Sequence, residues 1–430
     1  MRFPGNRIAR HYFPVRRPQA RIDLARQDME DRWYVLGLDQ VIADVEVAGA
    51  EPLMKEFGIR RGESIMLPDD VHARLLERLQ KSGCPFRVLA GGAVGNTLHN
   101  YCVLSGEPAV LLGCIDECIR PGSPAFHYLA QTPPSVQVAT LLPRPGSIAT
   151  AVTFVGADGE RSFAVSSGNT NDYPPEAVPE RLVRSACAVL TTLYCLRRPE
   201  WPVARAALRL MEIAAEADVP LALGMGTASL VREMKDTVIE LLRRFVTIAA
   251  MNHEEARALT GEADVLLACR AALEWVDAVI VTEGPQGMTM AGWVDEEYRR
   301  ETDQEIRSKS IAEYNRYEYS RLMRRRDCRR PQAVFTHIHP YRGGPDRLAN
   351  TNGAGDAALA AVLHDVAANR YHRALLPHSD KHQAPAEFLT YSSLSRNAQY
   401  GNRVAYEVLR GHSPRLESPV GSDEDEPPAA

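Results

Sequence analysis

A glycine-bearing run near the carboxyl end of the chain carries the residue types best suited to phosphoryl transfer. Residues 350–356 read Asn-Thr-Asn-Gly-Ala-Gly-Asp, and small apolar residues follow at 357–363. Gly353 and Gly355 lack a Cβ atom, so the backbone can turn tightly and point successive N–H groups at an anion. The helix predicted to follow adds its unpaired amide donors and the positive end of its dipole.

Asp356 stands at the predicted positive end of that helix, which favours its ionised form. A carboxylate beside an anion site can accept the proton of an attacking hydroxyl while the amides hold the charge of the transferred group. The alternative interpretation is a glycine-rich turn with an aspartate that caps a helix start.

Two further patterns offer groups for a substrate that carries neighbouring hydroxyls. The paired glycines Gly91 and Gly92 let the backbone approach a ligand, and Asn96 offers both a donor and an acceptor to a polyol. Asp44, just past the first predicted strand, can accept charge-assisted hydrogen bonds from two hydroxyls. A glycine pair alone is weak evidence, and an ordinary turn aspartate is the alternative for Asp44.

Polar residues also follow two predicted strands at the sheet edge where α/β folds bind ligands. Asn252 and Glu255 could hold a hydrated Mg²⁺, which keeps most of its waters and needs few protein ligands. The alternative is a capped helix start. Residues 282–287, Thr-Glu-Gly-Pro-Gln-Gly, could line the phosphates or ribose of a nucleotide.

The bulk composition is that of an ordinary globular protein. The 430 residues exceed the usual size of a single domain, and 45% are hydrophobic and 24% charged. A net charge of −5 and the lack of a long apolar run argue against nucleic acid and membrane partners. Eight cysteines without CxxC or zinc spacing are typical of reduced thiols in the cytoplasm.

Apolar strands and amphipathic helices alternate along the chain, which predicts an α/β fold with a parallel sheet covered on both faces. We expect strands at 33–38, 109–113, 186–191, 219–223, 246–251 and 278–282. We expect helices at 71–81, 203–217, 237–245, 254–259 and 265–275. A hairpin over 150–165, with Asp158-Gly159 as its turn, is expected in a second, smaller sheet.

Three segments stand outside this alternation. Residues 1–31 are polar and Arg-rich and read as an N-terminal arm, and the acidic, proline-rich 417–430 is expected to be disordered. Residues 294–334 form an Arg- and Tyr-rich insertion, with a capping-box pattern at 310–313 that predicts a helix start. We favour a solvated helix face there over a patch that binds RNA or phosphate.

The motifs together resemble a known family. The run at 350–356 resembles the second signature of the ribokinase-like (PfkB) carbohydrate and nucleoside kinases. Other motifs of that family are matched in its order at 91–96, 252–255 and 282–287, and 37–44 looks like the nucleoside-kinase version of the first strand. Runs at 98–101, 311–315 and 412–416 are similar to the branch that phosphorylates inosine and guanosine. The resemblance covers most of residues 33–410.

The resemblance implies a three-layer α/β/α kinase domain over 32–416, with a mainly parallel sheet and a small β-sheet lid. The lid strands are expected within 36–48, 86–115 and 148–168. It also implies ATP-dependent phosphorylation of a nucleoside 5′-hydroxyl, with ATP and Mg²⁺ as cofactors and a monovalent cation such as K⁺ as a further candidate. The expected partners are small molecules, and a homodimer is compatible with the family.

Site roles follow from the same resemblance. Asp356 is the expected catalytic base, with Gly353, Ala354 and Gly355 as the anion hole. The expected nucleoside-binding residues are Asp39, Asp44, Gly91, Gly92 and Asn96; the nucleotide-binding residues are Thr282, Gly284, Gly287, Asn352 and Asn402; the metal site is Asn252 with Glu255. Many family members have Asp where this chain has Asn350, which leaves one carboxylate fewer near the phosphates.

The sequence lacks the motifs of three other classes of enzyme: dinucleotide-binding oxidoreductases, P-loop NTPases and hydrolases with a nucleophile elbow. Residues 224–229 follow a strand but have Ser at the third glycine of a dinucleotide fingerprint. No Gly-Lys dipeptide supports a P-loop, and no Gly-x-Ser-x-Gly supports a nucleophile elbow. The remaining alternatives are a kinase of adenosine or a sugar, and a nucleotide-binding relative without catalysis, against which the intact Asp356 argues.

Overall fold

The computed structural model describes residues 32–156, 161–302, 310–311, 314–349, 351–379, 381–382 and 386–420. Several expectations lie outside these residues: the N-terminal arm, the Asp158-Gly159 turn, two positions of the 310–313 pattern, Asn350 and the tail from 421 onward.

The strands of the described residues form a large sheet and a small one. They are β1 Val35–Leu38, β2 Ile42–Ala48, β3 Ser64–Met66, β4 Phe86–Ala90, β5 Ala109–Asp116, β6 Val136–Gln137, β7 Leu141–Arg144, β8 Ala149–Val155, β9 Arg161–Ser166, β10 Ala188–Thr192, β11 Leu221–Gly224, β12 Ile248–Asn252, β13 Ala278–Thr282, β14 Met288–Asp295, β15 Arg321–Met323, β16 Pro331–Ile338 and β17 Phe388–Ser393.

The helices lie between them. They are α1 Glu51–Glu56, α2 Asp69–Lys81, α3 Ala93–Ser105, α4 Pro124–Ala130, α5 Glu180–Ser185, α6 Leu193–Leu196, α7 Pro202–Glu216, α8 Ala228–Glu233, α9 Lys235–Phe245, α10 His253–Thr260, α11 Val265–Ala272, α12 Ala354–Leu375 and α13 Leu394–Arg410.

The large sheet has the order β17-β15-β14-β13-β12-β11-β10-β1-β5-β6, with β16 paired to β14 and β7 paired to β5. The strands from β13 through β5 in this order are parallel, as are β6 and β7, whereas β14 to β17 pair antiparallel. The expected parallel core is confirmed, and an antiparallel extension adds to it at one edge.

Helices cover both faces of this sheet because successive strand residues point to opposite sides. Val35 packs into the core shared with α3, α12 and α13, and its neighbour Leu36 packs into the core shared with α7, α9, α10 and α11. The first half of α12 is rich in alanine and buried all round, which lets α3 and α13 approach it closely. The three-layer architecture is thereby confirmed.

The small sheet has the order β3-β9-β8-β2-β4, and β8 pairs antiparallel with β9 as the hairpin expectation required. Val45 and Val47 of β2 pack against α1 and α2 on one face of this sheet. The alternate residues of β2, Asp44 among them, therefore point to the other face. Strand β5 begins inside the expected lid range 86–115 but belongs to the large sheet, where all its residues are buried.

The expectation of a solvated helix face within 294–334 is wrong for the described residues. Residues 314–319 form turns, and β15 and β16 join the large sheet. The strands form because Leu322, Met323, Val334 and Phe335 enter the core, while the arginines pair with acids or lie over aromatic rings. The expectation that 417–430 is disordered is also wrong for the start of this range, since Val420 is buried in the core.

Candidate active site

The glycine-bearing run forms the bend that starts α12. Gly353 is the residue before the helix, with a φ of 81°, and a Cβ there would lie 2.5 Å from Cβ of Pro414. No side chain of the described residues caps this helix start. The first-turn amides of α12, next to Ala354 and Gly355, are therefore left for an external acceptor. Gly355 has open space where a Cβ would stand.

Asp356 lies in the first turn of α12 and is partly buried. Its Oδ2 accepts a hydrogen bond from Nδ2 of Asn96 at 3.1 Å, and its carbonyl accepts one from the Thr97 hydroxyl at 3.3 Å. Burial raises the pKa of Asp356 to about 7, and the charges of Asp39 and Glu255 add to the rise. The Asn96 hydrogen bond and the Arg415 guanidinium oppose it.

The Gly91-Gly92 pair makes room for two carboxylates. A Cβ on Gly91 would lie 2.5 Å from Oδ2 of Asp44, and one on Gly92 would lie 2.6 Å from Oδ2 of Asp39. Gly92 has a φ of 86° and directly precedes α3. Gly92 is required by both the space and the backbone conformation, and Gly91 is required by the space beside Asp44.

Asp44 is partly exposed on the face of β2 opposite to α1 and α2. Burial raises its pKa to about 6, and Glu46 raises it further while Arg415 lowers it. Among the residues that the structure describes, none donates a hydrogen bond to its carboxylate. Since partial burial disfavours an ionised carboxylate that accepts no hydrogen bond, a ligand with hydroxyls fits this position.

Asp39 follows β1 and is only 3% exposed. Its Oδ2 accepts a hydrogen bond from the backbone N–H of Gly95 at 2.9 Å, in the first turn of α3. Burial raises the pKa of Asp39 to about 6, against the lowering effect of backbone donors and Arg415. Asp39 therefore stabilises the start of α3 through its hydrogen bond with Gly95. Its carboxylate is less accessible to a ligand than that of Asp44.

Arg415 was not among the expected site residues, although it lies within the family-like run at 412–416. It is buried and donates from Nε to Oδ1 of Asn96 at 3.0 Å. Its positive charge lowers the pKa of Asp39, Asp44 and Asp356. No local signal separates this arginine from surface arginines, because its role depends on where the chain returns after α13.

Asn252 and Glu255 form a reciprocal capping box at the start of α10. Oδ1 of Asn252 accepts from the Glu255 N–H, and Glu255 accepts from the backbone and side-chain nitrogens of Asn252 at 2.9 and 2.8 Å. The capped helix start is therefore confirmed. Glu255 is also close enough to Asp356 and Tyr194 to raise the pKa of both. Its occupied oxygens fit a metal held through water better than one bound directly.

The 282–287 segment turns between β13 and β14. Gly287 has a φ of 103°, and a Cβ there would clash with the carbonyl of Ile338. Asn402, in α13, donates from its amide to the carbonyl of His339 in the same region. Thr282 and Gly284 flank the turn, so four of the expected nucleotide-binding positions lie around one edge of the sheet.

Comparison with known proteins places this arrangement in a family. The model of the pfkB family carbohydrate kinases matches residues 135–306. The chain is 42% identical to the guanosine-inosine kinase of Escherichia coli K12, over 99% of this chain and 98% of that protein, and equally so to the one of Escherichia coli O157:H7. The chain belongs to the PfkB kinase family. It is therefore a phosphotransferase with an alcohol acceptor, and this family uses ATP and generally a divalent metal.

Solved structures support the fold. A probable sugar kinase from Rhizobium etli superposes with a TM-score of 0.64 at 18% identity, covering 90% of this chain and 96% of that one. Adenosine kinase from Sinorhizobium meliloti gives 0.63 at 19% identity, covering 91% and 98%. At these identities the likeness concerns the fold. Within the part of the chain that the structure describes, every helix is too short or too polar to cross a membrane.

Proposed function

We propose that this kinase transfers the γ-phosphoryl group of ATP to the 5′-hydroxyl of guanosine and inosine. Two observations support the purine nucleoside as acceptor. The Escherichia coli proteins that match the full chain are guanosine-inosine kinases. The Asp44 carboxylate lies beside Gly91 and accepts no hydrogen bond from the residues that the structure describes, so its oxygens can accept from a ribose diol.

The observation that carries the proposal is the hydrogen bond between Asn96 and Asp356. It joins the helix that follows the Gly91-Gly92 pair to the bend that precedes α12. A nucleoside whose ribose hydroxyls bind Asp44, above Gly91 and Gly92, is thereby brought next to Asp356. We propose that Asn96 links the ribose-binding side of the site to the catalytic base Asp356. Protein partners engage both the oxygen and the nitrogen of its amide.

In this mechanism Asp356 accepts a hydrogen bond from the 5′-hydroxyl and takes its proton as the bond to phosphorus forms. The amides at Gly353, Ala354 and Gly355 stabilise the charge on the transferred phosphoryl oxygens. The transition state of phosphoryl transfer is loose, so positioning and charge stabilisation provide most of the rate enhancement. Asp39 contributes by fixing the start of α3 rather than by direct contact.

We assign the ATP phosphates and ribose to the sheet edge that carries Thr282, Gly284, Gly287 and Asn402, together with Asn352 in the run that precedes α12. The divalent ion is proposed to be Mg²⁺, which Glu255 would hold through water, and Asn252 orients that carboxylate by donating to it. The bound ion neutralises charge on the phosphates when present. A monovalent cation such as K⁺, a homodimer and a cytoplasmic location complete the proposal.

A radiolabelled-ATP assay with a panel of guanosine, inosine, adenosine, ribose and fructose tests this function. We expect label on guanosine and inosine at the 5′-position, with kcat/KM at least about tenfold above adenosine. Preferential label on adenosine or a sugar would move the protein elsewhere in the family. Absence of label on every acceptor, from folded protein with ATP and Mg²⁺, would favour a non-catalytic relative.

A further inference from the structure

The segment that follows α13 returns across the face of the active site. The backbone N–H of Leu416 donates to Oδ1 of Asn100 at 2.8 Å, and a ring nitrogen of His99 lies 2.9 Å from the Leu416 carbonyl. Pro414 lies against Gly353 in the bend before α12. The segment is therefore seated on α3 and on the anion-binding bend at once.

Arg415 projects from this segment between the two. Its guanidinium donates to three acceptors: Oδ1 of Asn96 at 3.0 Å, Oγ1 of Thr132 at 3.1 Å and the carbonyl of Gly91 at 3.3 Å. The group also lies over the Tyr128 ring, 5.0 Å from its centroid. A planar guanidinium can satisfy these directions together, whereas a lysine ammonium cannot reproduce the fork.

The bond to Asn96 decides which way that amide points. A guanidinium has donors only, so the atom of Asn96 that faces Arg415 has to be the oxygen. The nitrogen then faces Asp356 and donates to its carboxylate at 3.1 Å. If the amide were reversed, two acceptor oxygens would meet at the proposed base.

We propose that Arg415 is a positioning residue of the phosphoryl transfer: it holds the Asn96 amide in the orientation that aligns Asp356, and it joins the carboxyl-terminal segment to the nucleoside side of the site. The proposal rests on the function proposed above only in taking Asp356 as the base. It applies equally whichever acceptor the wild-type enzyme phosphorylates.

Charge supports the same role. Arg415 lowers the pKa of Asp39, Asp44 and Asp356. The groups that face Asp356 are Asn96 from α3, Asp39 from the end of β1, Glu255 from α10, Tyr194 from α6 and Arg415 itself. Arg415 is the cation of this set. Its loss leaves the carboxylates facing one another and raises the pKa of Asp356 further.

The test compares Arg415→Met, Arg415→Lys and the control Arg410→Met in the full-length enzyme, with the acceptor that the wild type prefers. Arg410 pairs with Glu407 on the surface of α13, five residues away. We expect kcat to fall by roughly 10- to 100-fold in both Arg415 variants, with a smaller change in the KM for ATP. We expect the acidic limb of kcat to move to higher pH in Arg415→Met and less in Arg415→Lys, which keeps the charge. The control should match the wild type.

A double-mutant cycle separates positioning from general packing. In an Asn96→Ala background, Arg415→Met should change kcat much less than it does in the wild type, since the partner that it orients is gone. If Arg415→Met does not fold, the kcat of Arg415→Lys tests the proposal, and the double-mutant cycle is made with Arg415→Lys. A folded variant with kcat within twofold of the wild type and an unmoved acidic limb would overturn the proposal, as would additive effects in the cycle. A wild-type preference for adenosine would overturn the proposed substrate and leave this test intact.

Discussion

The amide of Asn96 donates to the carboxylate of Asp356 at 3.1 Å, although the two residues lie 260 positions apart in the chain. Asn96 belongs to the helix that follows the glycine pair, and Asp356 belongs to the helix that follows the glycine-bearing bend at Gly353. One hydrogen bond thereby connects the two halves of the proposed reaction, the side that holds the sugar and the side that holds the phosphate.

Asp356→Asn should lower kcat by about 100-fold or more, because an amide cannot accept the hydroxyl proton at neutral pH. The Kd for guanosine, measured by calorimetry, should change by less than about threefold, since the ribose is held elsewhere. Near-normal turnover would refute the assignment of Asp356 as the base.

The rate should depend on the ionisation of Asp356. Burial raises its pKa to about 7, the charges of Asp39 and Glu255 act in the same direction, and Asn96 and Arg415 act against them. Only the ionised form accepts a proton, so kcat should fall about tenfold per unit as the pH drops below that pKa. Stopped assays between pH 5 and 9 measure this, with circular dichroism as the control for unfolding. A rate that is flat down to pH 5 would contradict the assignment.

Asp44→Ala should raise the KM for nucleoside by roughly 10- to 100-fold and leave the KM for ATP little changed, because it removes charged acceptors from two hydroxyls. Glu46→Ala is the matched control, since Glu46 lies two residues further on β2 and pairs with Arg87. The wild type should also discriminate against 2′,3′-dideoxyinosine by a similar factor. Equal use of inosine and its dideoxy analogue would show that Asp44 does not bind the diol.

The Asp44 carboxylate should lower the free energy of unfolding of the enzyme in the absence of ligand. The pKa of Asp44 is raised from 3.8 to about 6, so its contribution favours the native state at low pH and is lost as the pH rises through about 6. Asp44→Asn should therefore raise the free energy of unfolding at pH 7.5 by about 1 kcal/mol, after allowance for partial exposure. Urea unfolding at pH 7.5 and pH 4 checks this. The gain should shrink at pH 4, and an equal gain at both values would contradict the electrostatic origin.

The two glycines of the bend should respond differently to alanine. Gly353→Ala meets both a φ of 81° and contact with Pro414, so it should lose about 2 kcal/mol or more of stability together with activity. Gly355→Ala has open space and should fold normally, and its methyl group should lower kcat by obstructing the phosphoryl group. Thermal melts and kinetics of both variants distinguish the effects. Unchanged kcat in folded Gly355→Ala would argue against an anion site at that bend.

Much of the fold follows from local pattern. Buried strands such as β13 are apolar throughout and read as a parallel core, and β8 with β9 alternates as a hairpin does. The prediction of a helix in the segment after β14 was wrong because the arginines and tyrosines of that segment suggested a solvated helix face. Pairing of β16 with β14 and of β15 with β14 and β17 determines its strands, and these partners are separated by tens of residues along the chain.

The site was predictable where backbone geometry leaves a mark in the residue types. Gly91, Gly92 and Gly353 each mark a position where a side chain has no room. Arg415 and the engagement of Asn96 were not predictable in this way. Both depend on the return of the chain after α13, and an arginine in a loop has the same local pattern whether it is buried or exposed.

The most direct test is a crystal structure of the enzyme with guanosine and a non-hydrolysable ATP analogue. We expect the γ-phosphate to lie against the amides of Gly353, Ala354 and Gly355, with the 5′-hydroxyl about 3 Å from the Asp356 carboxylate. A γ-phosphate that lies away from that bend, or a 5′-hydroxyl beyond reach of Asp356, would contradict it.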